Sequence, residues 1–274
     1  MASNITLSAG IRQNLLSLQN TASLLGQTQE RLATGRKVNS ALDNPNNFFT
    51  SQSLQARGGD LSALLDSMGN AVQTLKAADI GIGAITDLVE AAKALANQAL
   101  ASNDTTVRAD LATQFDDLLD QIDQLATDAS FNGVNLLDSD DLDVVFNEDG
   151  SSTLTITGVD ASTGGDLGIS AAAGAWATDA NVQAALDEIT DTTTGLGWLR
   201  TQAATFGSNL TVVQARQDFT KNLINALQVG ADNLVLADVN EESANMLALQ
   251  TRQQLSTVAL SLASQADQAV LRLF

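Results

Sequence analysis

Five aspartates that could bind a cation lie close together in the middle of the chain. They are Asp138, Asp140, Asp141, Asp143 and Asp149. A calcium-binding loop needs glycine at the position of its sharp turn and oxygen ligands at alternating positions. Asp143 stands where that glycine is required, and Leu142 stands where a ligand is due. We therefore predict a solvated acidic loop here and no metal site.

A second group of carboxylates, Asp116, Asp117 and Asp120, could act as a pair of catalytic acids. Catalysis by two carboxylates needs a pocket, an apolar surround or a partner base. The chain contains no histidine and no cysteine, so the commonest base, the commonest metal ligand and the thiol nucleophile are all missing. We expect these aspartates to be ordinary surface acids, and we expect neither enzymatic activity nor a cofactor.

Gly81 and Gly83 resemble part of a phosphate-binding loop. That motif requires a strand before the first glycine and a third glycine that follows. Neither is present in the sequence around these residues, where apolar side chains recur at helical spacing instead. We predict that the two glycines allow close helix packing or a local kink.

The elements that carry these residues are expected to be long helices, because Pro45 is the only proline among 274 residues. No stretch is apolar enough to span a membrane, so we expect no membrane partner. The first 20 residues also lack the apolar run and the cleavage site of a classical secretory signal.

Charge is distributed unevenly along the chain, which has a net charge of -19. Residues 61–199 carry 3 basic and 23 acidic side chains, whereas both ends are close to neutral. Nucleic acid is excluded as a partner, because phosphate binding depends on clustered lysine and arginine. The neutral ends are suited to burial and the acidic middle to contact with water.

Both ends of the chain carry apolar residues at alternating spacings of four and three, which is the pattern of a helix that packs against another helix. The N-terminal seam comprises Ile11, Leu15, Leu18, Ala22, Leu25 and Leu32, with the polar Gln29 filling one step. The C-terminal seam comprises Leu255, Ala259, Leu262, Ala266, Ala269 and Leu273. These two helices are predicted to lie side by side.

Between the ends, similar seams predict helices over 61–99, 111–129 and 199–231, with a break and cap at 103–106. Residues 38–49 are rich in turn formers and predict a hinge or connector. Residues 142–146 and 153–157 predict a β-hairpin, and residues 161–178 a surface excursion without framework structure. The predicted fold is mainly α, a long antiparallel helical hairpin or coiled-coil rod with paired termini and a small β-hairpin region in the middle.

Several segments of the chain resemble the bacterial flagellins. Residues Arg31–Asp43 are similar to their N-terminal pattern Arg-Leu-x-x-Gly-x-x-Ile-Asn-x-Ala-x-Asp. Ser130–Val134 looks like the strand that follows their second helix, and the region from Phe206 to Phe219 resembles their C-terminal Asn-Arg-Phe region. The apolar tail, residues 249–274, is similar to flagellin tails. The chain departs from the family at residues 44–47, where many flagellins have Asp-Ala-Ala-Gly, and in its short middle region.

The resemblance implies a secreted, extracellular structural subunit that polymerises with copies of itself into the flagellar filament for swimming motility. It implies that residues 1–44 and 232–274 form an inner tube, while 45–140, 141–178 and 179–231 form the outer tube and a short variable surface region. The two terminal seams are then polymer contacts. The implied further partners are the flagellar export apparatus, a flagellin chaperone, and the hook-associated junction and cap proteins.

Three alternative functions make different demands on the sequence. A hook–filament junction protein resembles flagellin at both ends but is present in only a few copies. A few flagellins carry a metalloprotease insert, which needs a His-Glu-x-x-His helix that a chain without histidine cannot form. A helical effector exported by a related route would share the amphipathic helices but not the pattern of residues 31–43.

One further expectation concerns the vertebrate innate receptor for flagellin, whose target in the family resembles Gln-Arg-x-x-x-Leu-x-x-Gln. Leu95 and Gln98 match that frame, whereas Glu90 stands for the glutamine and Ala91 for the arginine. Lys93 retains a positive charge nearby but not the planar guanidinium that makes paired hydrogen bonds. We therefore predict weak or absent activation of the receptor.

Overall fold

The computed structural model describes residues 9–271, and this part of the chain is mainly helical with one small antiparallel sheet. The chain forms two compact units. One comprises the described parts of Met1–Ala56 and Ala226–Phe274, and the other is Arg57–Asn225. The helices are α1 (Ala9–Thr34), α2 (Pro45–Ala101), α3 (Thr105–Asp128), α4 (Asp179–Thr190), α5 (Gly195–Val235) and α6 (Val239–Leu271). The strands are β1 (Leu142–Val145) and β2 (Thr153–Ile156).

In the first unit, which we call the terminal unit, α1 packs against α6. The chain after α1 is hydrogen-bonded to the joint between α5 and α6, because the Lys37 amide donates to the Val235 carbonyl at 2.7 Å and the Ala237 amide donates to the Gly35 carbonyl at 3.0 Å. Gly35 has φ of +69°, a left-handed conformation that suits glycine at the end of a helix. The predicted pairing of the N- and C-terminal helices is confirmed.

The connector between α1 and α2 is shorter than the sequence pattern indicated. The predicted turn region extended to residue 49, but α2 begins at Pro45. Asn44 accepts a hydrogen bond from the Asn47 amide at its Oδ1, as an N-cap residue does, and Pro45 occupies the first helical position, where its missing amide hydrogen costs nothing. A run of asparagines around proline therefore starts a helix here.

In the second unit, which we call the middle unit, apolar side chains of α2, α3 and α5 form one core together with the loops that follow α3. The predicted seams are confirmed as core positions over residues 61–129, where Leu75, Ile85 and Phe115 are among the fully buried side chains. A side-chain methyl group built at Gly81 would lie 2.7 Å from Leu137 Cδ1, so this glycine permits close packing as predicted.

The hairpin and the break between helices were predicted correctly. β1 pairs with β2, with Leu142 opposite Ile156 and Val145 opposite Thr153. The break lies between Ala101 and Thr105, and the carboxylate of Asp104 accepts a hydrogen bond from the Thr106 amide at 2.8 Å. This is the N-cap arrangement that satisfies a free amide at the start of a helix.

The prediction that residues 161–178 are a surface excursion was wrong. Ala161, Leu167, Ile169 and Trp176 are buried in the core of the middle unit, and Trp176 packs against Phe115 with ring centroids 4.9 Å apart and ring planes inclined at 54°. Single anchors spaced irregularly along a loop leave no periodic pattern, so periodicity could not find them.

The prediction that the aspartates on α3 are ordinary surface acids was only partly correct. Asp116 accepts a hydrogen bond from the Ala172 amide at 2.7 Å, which ties the loop that carries Trp176 to the helix. Asp123 accepts hydrogen bonds from the amide and the hydroxyl of Thr163. These two aspartates hold the loop, whereas Asp117 and Asp120 are exposed.

Candidate assembly surface

The face that α1 and α6 turn toward each other contains buried polar groups. Thr21, Thr28 and Glu242 are each less than 10% exposed. Thr21 donates its hydroxyl hydrogen to the Ser17 carbonyl at 2.8 Å, and Arg31 donates from Nη1 to Oε1 of Glu242 at 2.9 Å. The face between the helices therefore contains hydrogen-bonded polar groups, and the Arg31–Glu242 ion pair joins α1 to α6.

Large apolar side chains of the same two helices face outward. On α1 these are Leu15, Leu16 and Leu24, and on α6 they are Leu247, Leu255, Val258 and Leu262. Leu255 and Leu262 are 66% and 61% exposed. Isolated exposed leucines are ordinary, but Leu255, Val258 and Leu262 form a row at helical spacing on α6, and with the exposed leucines of α1 they leave apolar surface that the described chain does not cover. We call these seven residues the outward apolar set.

The residues predicted as polymer contacts fall into two groups by burial. Leu15, Ala22, Leu255, Ala259, Leu262, Ala266 and Ala269 are exposed. Ile11, Leu18, Leu25 and Leu32 are half-buried on α1, and Leu273 lies outside the described residues. The contact face of α1 toward α6 thus runs through Leu18, Thr21, Leu25 and Thr28. It shares Leu18 and Leu25 with the predicted seam, but Thr21 and Thr28 take the places expected for Ala22 and Gln29.

Four residues of the outward apolar set were missed by the sequence pattern: Leu16, Leu24, Leu247 and Val258. They are apolar residues that lie outside the two seams identified in the sequence. A search for a single seam passes over residues that flank it, as Val258 flanks Ala259.

The turn that follows α1 is held by one carboxylate. Oδ2 of Asp43 accepts hydrogen bonds from the amides of Asn39 at 2.9 Å and Ser40 at 3.0 Å. These hydrogen bonds lower the pKa of Asp43 below the usual value of an aspartate, and the one from the Asn39 amide has the largest effect, followed by the one from the Ser40 amide. The same turn presents Leu42, which is 95% exposed.

The positions of the predicted receptor motif lie on α2 in the middle unit. Glu90, Ala91 and Gln98 are exposed, whereas Lys93 is half-buried and Leu95 packs against the core. Three of the five positions can therefore meet another molecule without any rearrangement of the helix. Leu95 offers only part of its side chain.

The clustered aspartates of the middle unit serve as hydrogen-bond acceptors in turns. Asp140 accepts from the Asn135 amide, Asp141 from the Gly158 amide and Asp143 from the Thr155 hydroxyl. Within residues 9–271, no group of three or more acidic side chains is placed to hold a metal ion. Over the same residues, no helix combines the length and apolarity needed to cross a membrane.

Comparison with known proteins places both helical parts of the chain in one group. Residues 7–141 match the family model described as the bacterial flagellin N-terminal helical region, and residues 180–274 match the bacterial flagellin C-terminal helical region. The match to the first region covers α1, α2 and α3, and the match to the second covers α5 and α6. The outward apolar set therefore lies entirely within the matched parts.

Complete relatives are similar over nearly their whole length. Flagellin FljM of Caulobacter vibrioides is 34% identical over 277 residues, which cover 99% of this chain and 98% of that protein. A flagellin of Brucella melitensis is 28% identical over 288 residues, which cover 100% of this chain and 99% of that protein. The crystal structure of Bacillus cereus flagellin is 18% identical with a TM-score of 0.33, and it covers 66% of this chain and 94% of that one.

Proposed function

This chain belongs to the bacterial flagellin family, and we propose that the outward apolar set of α1 and α6 supplies the contacts through which its subunits join. The chain is a structural subunit that polymerises with copies of itself into the flagellar filament, and it is not an enzyme. What the family does not specify is which side chains of this chain make the polymer. The residues proposed first are Leu15 and Leu24 on α1 and Leu255, Val258 and Leu262 on α6.

The observation that carries this proposal is the opposition between the two faces of the terminal helices. Buried threonines, an ion pair and the half-buried Leu18 and Leu25 occupy the face between α1 and α6, whereas more exposed leucines and a valine occupy the outer face. Covering one exposed leucine or valine completely contributes about 1.5–3 kcal/mol. Several such residues per subunit are enough to offset the entropy that a subunit loses when it is fixed in a polymer.

The distribution of charge supports the same arrangement. The terminal unit has 6 basic and 7 acidic residues, and the middle unit has 7 basic and 25 acidic residues. A nearly neutral unit can be packed among copies of itself at little electrostatic cost, whereas a strongly acidic one favours contact with water. We propose that residues 1–44 and 232–274 form the inner tube of the filament and residues 45–231 the layer around it.

The same proposal implies partners other than further copies of the chain. A subunit of the filament outside the cell requires an export apparatus, a chaperone that covers its apolar helices before export, and junction and cap proteins at the two ends of the filament. The outward apolar set is the surface such a chaperone would have to shield, because it includes exposed apolar side chains on successive turns of α6, at Leu255, Val258 and Leu262.

The experiment is in vitro assembly of purified subunits, followed by electron microscopy and sedimentation. Leu255→Ser with Leu262→Ser should raise the critical concentration for assembly roughly a hundredfold, since two leucines that are exposed in the free subunit and covered in the filament are lost. Gln254→Ser with Gln265→Ser, also exposed on α6, is the matched control and should assemble within about twofold of the unmodified protein. Equal critical concentrations for the two double variants would overturn the assignment of the contacts.

Deletion of residues 255–274 provides a second test. It should abolish assembly while the middle unit remains helical, because α6 packs against α1 and lies outside the core of the middle unit. Long filaments from the unmodified protein would also exclude a junction protein, which is present in only a few copies. Normal filaments from the truncated protein would contradict the proposal.

A further inference from the structure

A depression of about 250 Å³ lies on the middle unit, between the turn of the β-hairpin and the helices α2 and α5. Its walls include Arg57, Leu61, Phe146, Arg216, Phe219 and Leu223. Leu61 and Phe146 are buried, whereas Phe219 is 58% exposed. Glu148 also lines the depression, so the site combines an apolar floor with two guanidinium groups and one carboxylate.

Arg216 is held in place by an aromatic ring. Its guanidinium carbon lies 5.2 Å from the centre of the Phe146 ring, within the range of a cation–π interaction. Arg216 is exposed, and no carboxylate among residues 9–271 lies within ion-pair distance of it. A guanidinium whose position is fixed but whose charge is uncompensated is well placed to accept a carboxylate.

The other cation of the depression is already paired. Arg57 donates from Nε to Oε1 of Glu148 at 2.5 Å, so the charge of that glutamate is compensated within the hairpin turn. Lys221 pairs with Asp218 on α5, and Arg108 pairs with Asp179 elsewhere in the middle unit. Arg200, also on α5, is exposed and has no carboxylate within ion-pair distance among residues 9–271, but it is not part of the depression.

We infer that this depression accepts an acidic side chain from a second copy of the chain in the filament. Copies of a middle unit with 7 basic and 25 acidic residues repel one another when they are packed together. A carboxylate seated on Arg216 relieves part of that repulsion, and Phe146 and Phe219 exclude water around the pair. This inference rests on self-assembly of the chain, and it specifies one contact of the middle unit.

The test compares two charge reversals on one helix. Arg216→Glu and Arg200→Glu change the net charge by the same amount, and both positions are exposed on α5. Arg216→Glu should raise the critical concentration for assembly by about tenfold more than Arg200→Glu does. Arg216→Lys retains the charge without the planar guanidinium and should give an intermediate value. Thermal unfolding of each free subunit shows whether the fold is intact.

A second arm identifies the group that enters the depression. Phe219 is replaced by a photoreactive benzophenone analogue of phenylalanine, and the filament is irradiated and digested. The expected product is a crosslink to a peptide of a second copy whose attachment point adjoins an aspartate or glutamate. No crosslink between copies, or a crosslink with no acidic residue beside the attachment point, would overturn the inference.

The outcomes separate this inference from the function on which it rests. If the unmodified protein does not assemble, the assignment as a filament subunit fails. If the unmodified protein assembles and Arg216→Glu behaves like Arg200→Glu, only the overall charge matters and the depression is not a contact. If Arg216→Glu impairs assembly selectively and the crosslink reaches an acidic segment, the depression is the acceptor site.

Discussion

Arg31 on α1 and Glu242 on α6 form an ion pair across 2.9 Å, between residues that are 211 positions apart in the chain. The two partners differ in exposure. The side chain of Glu242 is 10% exposed, whereas that of Arg31 is 38% exposed. The carboxylate is therefore the group that depends on its partner, because the guanidinium can also be solvated by water.

This asymmetry predicts different costs for removing the two partners. Arg31→Ala leaves a buried carboxylate without compensation and should lower the opening free energy of the α1–α6 pair by about 2 kcal/mol. Glu242→Ala leaves an arginine that reaches solvent and should cost about half as much. Amide hydrogen exchange along α1 and α6 in the assembled filament measures both values. Equal losses for the two variants would show that burial of Glu242 does not decide the energy.

Gly81 and Gly83 lie on the same helix, and substitution of each by alanine should change the stability of the middle unit in opposite directions. Alanine at Gly81 would meet Leu137 Cδ1 at 2.7 Å and Ala129 Cβ at 3.0 Å, so Gly81→Ala should destabilise the middle unit by about 1–3 kcal/mol. Nothing lies within 4 Å of the corresponding position at Gly83. Gly83→Ala should stabilise the helix by about 0.5–1 kcal/mol. Urea unfolding of both variants tests the two signs, and destabilisation by Gly83→Ala would contradict the argument.

The contrast between these glycines shows what the sequence could and could not predict. Periodic spacing correctly predicted the helices, the core of α2 and α3, and the pairing of α1 with α6, because one buried side of a long helix repeats every three to four residues. The close approach at Gly81 depends on Leu137, which is 56 positions away and follows a turn. No local pattern encodes a contact of that kind.

The prediction that the loop with Trp176 is a surface excursion was wrong for a related reason. The anchors of the loop are single residues between glycines and alanines, and its backbone is held by Asp116 on α3. A side chain that binds a distant loop resembles any solvated aspartate on the polar face of a helix.

In the assembly surface, the apolar seams were visible in the sequence, but which leucines face α6 and which face outward depends on how the two helices are rotated when they pack.

The turn at Asp43 should respond to pH. Hydrogen bonds from the amides of Asn39 and Ser40 lower the pKa of Asp43, so the carboxylate stabilises the folded turn at pH values above the unfolded pKa. That contribution is lost as the pH falls through the lowered folded value. Exchange of the Asn39 and Ser40 amides, followed from about pH 6 to about pH 2, should therefore lose its excess protection only at the acidic end.

Asp43→Asn is the control for this titration, since the amide can accept a hydrogen bond but carries no titrating charge. The variant should show no pH-dependent step in the protection of Asn39 and Ser40 over the same range. If the unmodified protein and the variant lost protection at the same pH, the step would belong to another group, and the assignment to Asp43 would be wrong.

Receptor activation is expected to be weak because Ala91 stands where the family pattern has arginine. Loss of an arginine anchor commonly costs on the order of 2 kcal/mol at an interface, and Glu90 adds a charge of the opposite sign. Glu90 and Ala91 are both exposed on α2, so Glu90→Gln with Ala91→Arg should fold normally. A receptor-driven cell reporter should respond about tenfold more strongly to the double variant than to the unmodified subunit. Full potency of the unmodified subunit would contradict the proposed register.

Amide hydrogen exchange of the free subunit and of the filament tests most directly whether the terminal helices are completed by assembly. Long helices whose apolar residues face water gain little until neighbours cover them. The amides of Leu18 on α1 and Leu262 on α6 should therefore exchange rapidly in the free subunit and become strongly protected in the filament. The amide of Phe115, in the core of the middle unit, should be protected equally in both. Equal protection of Leu18 and Leu262 in subunit and filament would contradict the account.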